Sequence, residues 1–186
     1  MPPIRKQAAV PSPALLAFYN AVPNVFWSVL SFTPLCVFCY QHIARPWIYG
    51  FLAVSLLAYA VPASSFRYWQ LSATLTAYRK LGVPLANHLA QHGDLVNKLV
   101  RRQYPQYRHV RTHTSVAALV RTTYHQERFH VAMFLFFLLS AIYAAIYRYW
   151  GWMLLLTLLN TVYNLYPIWL QQYIRVRLTS RSSNFN

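Results

Sequence analysis

Glu127 and His130 lie three residues apart in a chain of 186 residues that holds only two carboxylates, Asp94 and Glu127, against 17 Lys plus Arg. On a helix, positions i and i+3 share a face, so the two side chains can meet. A carboxylate that accepts from one imidazole nitrogen fixes the tautomer and leaves the other nitrogen as a base. Such a base can activate a hydroxyl for acyl transfer. The other helical neighbours of Glu127 are Thr123, Tyr124 and Val131, none of them cationic. The carboxylate must therefore find His130 or a basic residue from another element. The same pair also suits an interfacial anchor that positions its helix, and the ExxH spacing alone does not separate the two.

A second polar set occurs near the end of the chain. Asn160, Asn164, Gln171 and Arg175 fall within about 60° of one another when wound at 100° per residue. Pro167 removes a backbone donor and frees a carbonyl near this stripe. The amides can bond across helices, with Arg175 and Arg177 as anchors. They can equally line a polar groove in which the two arginines hold a phosphate or an oxyanion.

The other chemistry-bearing residues are less informative. Asp94 follows Gly93 and suits the N-cap of a helix. His88 and His92 are spaced i, i+4, but carboxylate partners are scarce, and no metal site is expected. His109, His113 and His125 are scattered among Arg and Tyr. Cys36 and Cys39 spell CxxC inside an apolar run, where packed thiols are the simpler reading. No GxSxG, P-loop or HxxxxD spacing occurs, so serine hydrolysis and nucleotide hydrolysis find no support.

Four uncharged runs must position these groups: residues 23–40, 46–66, 131–147 and 149–174. Each is near the ~20 residues that cross a bilayer core of about 30 Å as a helix. With 57% hydrophobic residues, 17% aromatics and a net charge of +15, the chain is neither a disordered basic tail nor a soluble nucleic-acid domain. No nucleic-acid partner is expected. The composition predicts an all-α integral membrane protein with four transmembrane helices arranged as two hairpins.

The expected segments are 1–22, the hairpin 23–66, a basic helical segment 67–128, the hairpin 129–174 and a polar tail 175–186. Only Arg45 and Arg148 lie in the short turns within the hairpins. The other basic residues flank the hairpins or fill the central segment. The positive-inside rule then puts both termini and the central segment in the cytoplasm. No cleavable signal peptide is evident. Within the central segment, Phe66, Trp69, Leu71, Leu75, Tyr78 and Leu81 recur at helical spacing until Gly82 and Pro84 interrupt them.

Three blocks in order carry a family resemblance. Tyr78-Arg79-Lys80-Leu81 with Gly93 resembles Y-[RK]-K-L…G. Glu127-x-x-His130 looks like the E-x-x-H of an R-x-E-x-x-H-W block. The run from Asn164 through Tyr166-Pro167, Gln171, Tyr173, Arg175 and Arg177-Leu178 is similar to a terminal N-x-[YL]-P-x-x-x-Q-R-Y-N-R-x-R-L block. Together they resemble the glycosyl-4,4'-diaponeurosporenoate acyltransferases, over roughly residues 78–178. Val131 stands where that pattern has Trp, Gln172 and Ile174 where it has Arg and Asn, and Pro84-Leu85-Ala86-Asn87-His88 where it has a basic, Trp-bearing stretch.

The resemblance implies a small enzyme of the bacterial cytoplasmic (inner) membrane that moves a fatty acyl chain onto the sugar of a carotenoid glucoside. On this reading His130 takes the hydroxyl proton and Glu127 orients it. Arg175 and Arg177 neutralise donor phosphate or the oxyanion, and Asn164 and Gln171 bind the acceptor. Tyr78, Lys80 and Tyr173 complete the substrate-binding set. No cofactor is implied beyond an acyl donor such as acyl-CoA, and the partners are membrane lipids and a lipidic acceptor. The alternative is a non-catalytic lipid-binding or scaffold subunit whose basic residues hold anionic headgroups.

Overall fold

Ser12 accepts a hydrogen bond from the Leu15 amide at 3.2 Å and, with Pro13 behind it, starts the first helix, α1 (Pro13–His42). The computed structural model describes residues 11–89, 94–105 and 113–182. Helix α1 begins ten residues before the apolar run because Pro23 sits inside it rather than at its start. Phe18, Val22, Val25, Phe26 and Val29 are exposed along it, as expected of a helix that faces lipid rather than water.

The second apolar run departs from expectation. It forms α2 (Arg45–Leu56), twelve residues long or about 18 Å, too short to cross a bilayer as one helix. Two 3₁₀ turns follow, Leu57–Ala60 and Ala63–Arg67. The first of these turns ends at Val61, which the ring of Pro62 holds out of the helical region, at φ −70° and ψ 123°. The expected four transmembrane helices are thus corrected to three helices long and apolar enough to cross a membrane, Pro13–His42, Ala118–Ile146 and Trp150–Ser180. The broken run still lies along the third long element. Trp47 and Phe51 pack on Tyr143, and at its other end the Val61 carbonyl accepts from Arg128 Nη2 at 2.9 Å. It therefore covers about 22 Å of that neighbour.

The neighbour is α6 (His113–Ile146), which packs against α2 and both later helices. Between them the basic segment holds α3 (Leu75–Lys80), α4 (Val83–Leu89) and α5 (Asp94–Gln103). The expected long helix from Phe66 is reduced to six residues. Gln70–Thr74 instead forms a turn tied by Ser72 and Tyr78. Gly82, at φ +71°, ends α3 in the left-handed region that glycine enters without strain, and Pro84 falls in the first turn of α4. His92, Gly93 and His109 lie outside the described residues, as do the side chains of His88, Asp94 and His113. Cys36 and Cys39 are free thiols within α1.

The last membrane-length element is three pieces in one path: α7 (Trp150–Asn160), a π-helical turn at Thr161–Leu165, and α8 (Tyr166–Ser182). Two apolar clusters hold the fold. One joins Leu35, Phe38, Phe51, Phe136, Phe137 and Leu156 from α1, α2, α6 and α7. The other joins Tyr78, Val83, Leu170, Tyr173 and Val176 from α3, α4 and α8. Buried polar groups collect between α6 and the Asn160–Arg175 stretch, and they define the site.

Candidate functional site

Glu127 is fully buried, and its partner comes from α8. Its carboxylate forms an ion pair with Arg175, itself 4% exposed, and accepts from Gln172 Nε2 at 2.7 Å. Arg175 is enclosed on its other sides. Nη1 reaches Thr123 Oγ1 at 3.5 Å, and the Tyr124 ring lies 4.1 Å from the guanidinium carbon. Thr123 gives its own proton to the Val120 carbonyl at 2.6 Å, so a lone pair faces the arginine. The two neighbours that looked inert in the sequence thus cradle the cation from the next helix.

The network continues out of α8. Gln172 Oε1 accepts from the Leu71 amide at 3.0 Å and lies 3.3 Å from the Tyr78 hydroxyl. That hydroxyl also accepts from the Ser72 amide and stands 3.0 Å from the Ser72 carbonyl. One amide side chain therefore ties α6, α8, α3 and the turn before α3. Tyr78→Phe should lower stability by about 1–3 kcal/mol, because buried partners lose the hydroxyl. Burial also pushes the Tyr78 phenol above its ordinary value of 10.0. A raised folded value means its contribution is complete below pH 10.0 and is lost as pH rises through the folded value. Unfolding of wild type and Tyr78→Phe should converge as pH rises past that point, and a gap constant with pH would sink the assignment.

His130 does not meet Glu127. Its Nδ1 stands 3.5 Å from Asn164 Oδ1, at the outer limit of a hydrogen bond, and the ring makes a looser contact with the Tyr163 backbone. Pro167 has no N–H for the Tyr163 carbonyl one turn earlier, so that carbonyl is free to be approached. Asn164 Nδ2 donates to Asn160 Oδ1 at 2.9 Å, and Asn160 Nδ2 donates to the Phe134 carbonyl at 3.1 Å. The Tyr163 ring lies edge-on to His130 at 5.9 Å, and its hydroxyl bonds Ser28 of α1 at 3.0 Å. The dyad expected within one helix is therefore replaced by two separate pairings, each made across to the last helix.

The remaining sequence-predicted residues divide by burial. Tyr173 packs its ring 6.1 Å from that of Tyr78. Gln171 is half-buried and outside both networks, while Lys80 and Arg177 are exposed on α3 and α8, which pack against each other. Gln172 was the residue missed. The π turn at Thr161–Leu165 interrupts the regular winding, and Gln172 rather than Gln171 faces Glu127, while Arg175 keeps its place on the same side. Pro167, just beyond the turn, is the signal in the sequence. Among the described residues, no group of three or more His, Cys, Asp or Glu could hold a metal ion.

Residues 62–183 match the glycosyl-4,4'-diaponeurosporenoate acyltransferase family. The chain belongs to that family. The match covers most of the chain and takes in both networks, from the Val61–Pro62 break to the end of α8. No curated protein and no solved structure matches the chain. As an acyltransferase-family member with three helices of membrane length, it brings Glu127, Gln172, Arg175 and Tyr78 into one buried network, and His130 and Asn164 into another.

Proposed function

We propose that this protein moves a fatty acyl group from an activated donor, such as a CoA thioester, onto a sugar or lipid hydroxyl at the membrane interface. A carotenoid glycoside-like lipid is the acceptor, and His130 is the general base. The observation that carries the reading is the His130 imidazole, held by an amide rather than by a charge, in a chain of an acyltransferase family. An uncharged partner on one nitrogen leaves the other able to accept a proton. The acceptor oxygen attacks the acyl carbonyl while its proton passes to the imidazole. The carbon–sulfur bond then breaks, and the proton leaves with the thiolate.

Arg175 is committed to Glu127, so exposed Arg177 and Lys80 are the better groups for donor phosphates. The positive-inside rule assigns the end that carries them to the cytoplasm, where acyl thioesters are made. The test uses the full chain in lipid vesicles with a labelled acyl thioester and a glycosylated carotenoid. Labelled ester on the sugar is the expected result, with none formed on the sugar-free pigment. No ester above that of protein-free vesicles would overturn the proposal.

A further inference from the structure

We infer that Asn160 and Asn164 form a directed amide relay that fixes the tautomer of His130 with the proton on Nδ1, so that Nε2 is the basic nitrogen. This rests on His130 being the base of the proposed reaction. The direction of the relay starts at a group that cannot be reversed. The Phe134 carbonyl only accepts, so Asn160 must turn its Nδ2 toward it. Asn160 Oδ1 then points the other way and also only accepts, which requires Asn164 to present Nδ2. Asn164 Oδ1 is left facing His130 Nδ1, and only a protonated nitrogen satisfies it.

Turning either amide over would set oxygen against oxygen or N–H against N–H. Asn160 is 4% exposed and Asn164 fully buried, so water offers no alternative partner, and an unmet buried polar group is costly. The carboxylate that might have fixed the ring is unavailable, because Glu127 is occupied by Arg175 and Gln172. The information that orients the base thus originates in a backbone carbonyl of its own helix, four residues on, and returns through two side chains of the opposite one. Both asparagines are positioning residues: Asn164 acts on the ring, and Asn160 acts through Asn164.

The experiment is nitrogen NMR of the full chain, ¹⁵N-labelled at histidine, in lipid nanodiscs at about pH 8, where an ordinary imidazole is neutral. The His130 signals are identified by their loss in His130→Gln. Wild type should show protonated Nδ1 and bare Nε2. Asn160→Leu frees the Asn164 amide to turn, so the two tautomers should mix, and acyl transfer per folded molecule should fall a few-fold, in proportion to the rings that lose a bare Nε2.

Wild type protonated at Nε2, or an unchanged tautomer in folded Asn160→Leu, overturns the relay. If Asn160→Leu does not fold, the wild-type spectrum decides alone. Protonated Nδ1 without any acyl transfer overturns the proposed function and leaves the relay standing, so the two failures are distinct.

Discussion

Replacing Glu127 by Leu is expected to cost about 3–5 kcal/mol of stability, and replacing Arg175 by Met in the same molecule is expected to return most of it. The single change leaves a guanidinium buried between α6 and α8 with no counter-charge, and it strips Gln172 Nε2 of its acceptor. Bringing a charge out of water is expensive, and the mutual attraction offsets that cost only while both partners are present. The paired apolar replacement removes both charges together, so only the unmet Gln172 donor remains, at about 1–3 kcal/mol. Chemical unfolding in detergent of wild type, both single variants and the double variant measures the coupling directly. If the double variant is no more stable than Glu127→Leu, the ion pair does not join these helices.

Much of this arrangement was legible in the sequence, and the exceptions have physical causes. The long apolar runs marked α1, α6 and the α7–α8 path, because hydrocarbon burial depends on length and composition. The second run had the same composition, but its α-helix gave way to a 3₁₀ turn after Leu56, and Val61-Pro62 then stopped the helical path altogether. The polar stripe of α8 was legible up to Asn164. Beyond it the π turn interrupted the regular winding, so Gln172 took the buried place expected of Gln171 while Arg175 kept its own.

Partner choice was the hardest to read. A missing cation among the helical neighbours of Glu127 pointed either to His130 or to another element, and only packing could decide. Arg175 won because the fold buries both charges at one level of α6 and α8, where an imidazole at 3.5 Å from an amide cannot compete with a guanidinium. The same packing turned Thr123 and Tyr124 from bystanders into the walls around Arg175.

His130→Ala is expected to lower kcat by about 10²–10⁴, the usual worth of a positioned general base, and to cost about 1–3 kcal/mol of stability. The stability cost arises because the fully buried Asn164 Oδ1 loses its donor, while the half-buried ring itself adds little. Glu127→Gln supplies the contrast. If the carboxylate oriented the imidazole, this variant would lose kcat almost as severely as His130→Ala, since the wrong tautomer would be free to form. The observed pairings predict the opposite. Glu127→Gln should weaken the fold through its lost ion pair, while transfer per folded molecule stays within a few-fold of wild type. Equal losses of kcat in the two variants, measured on folded protein, would restore the dyad and remove Asn164 from its place beside the base.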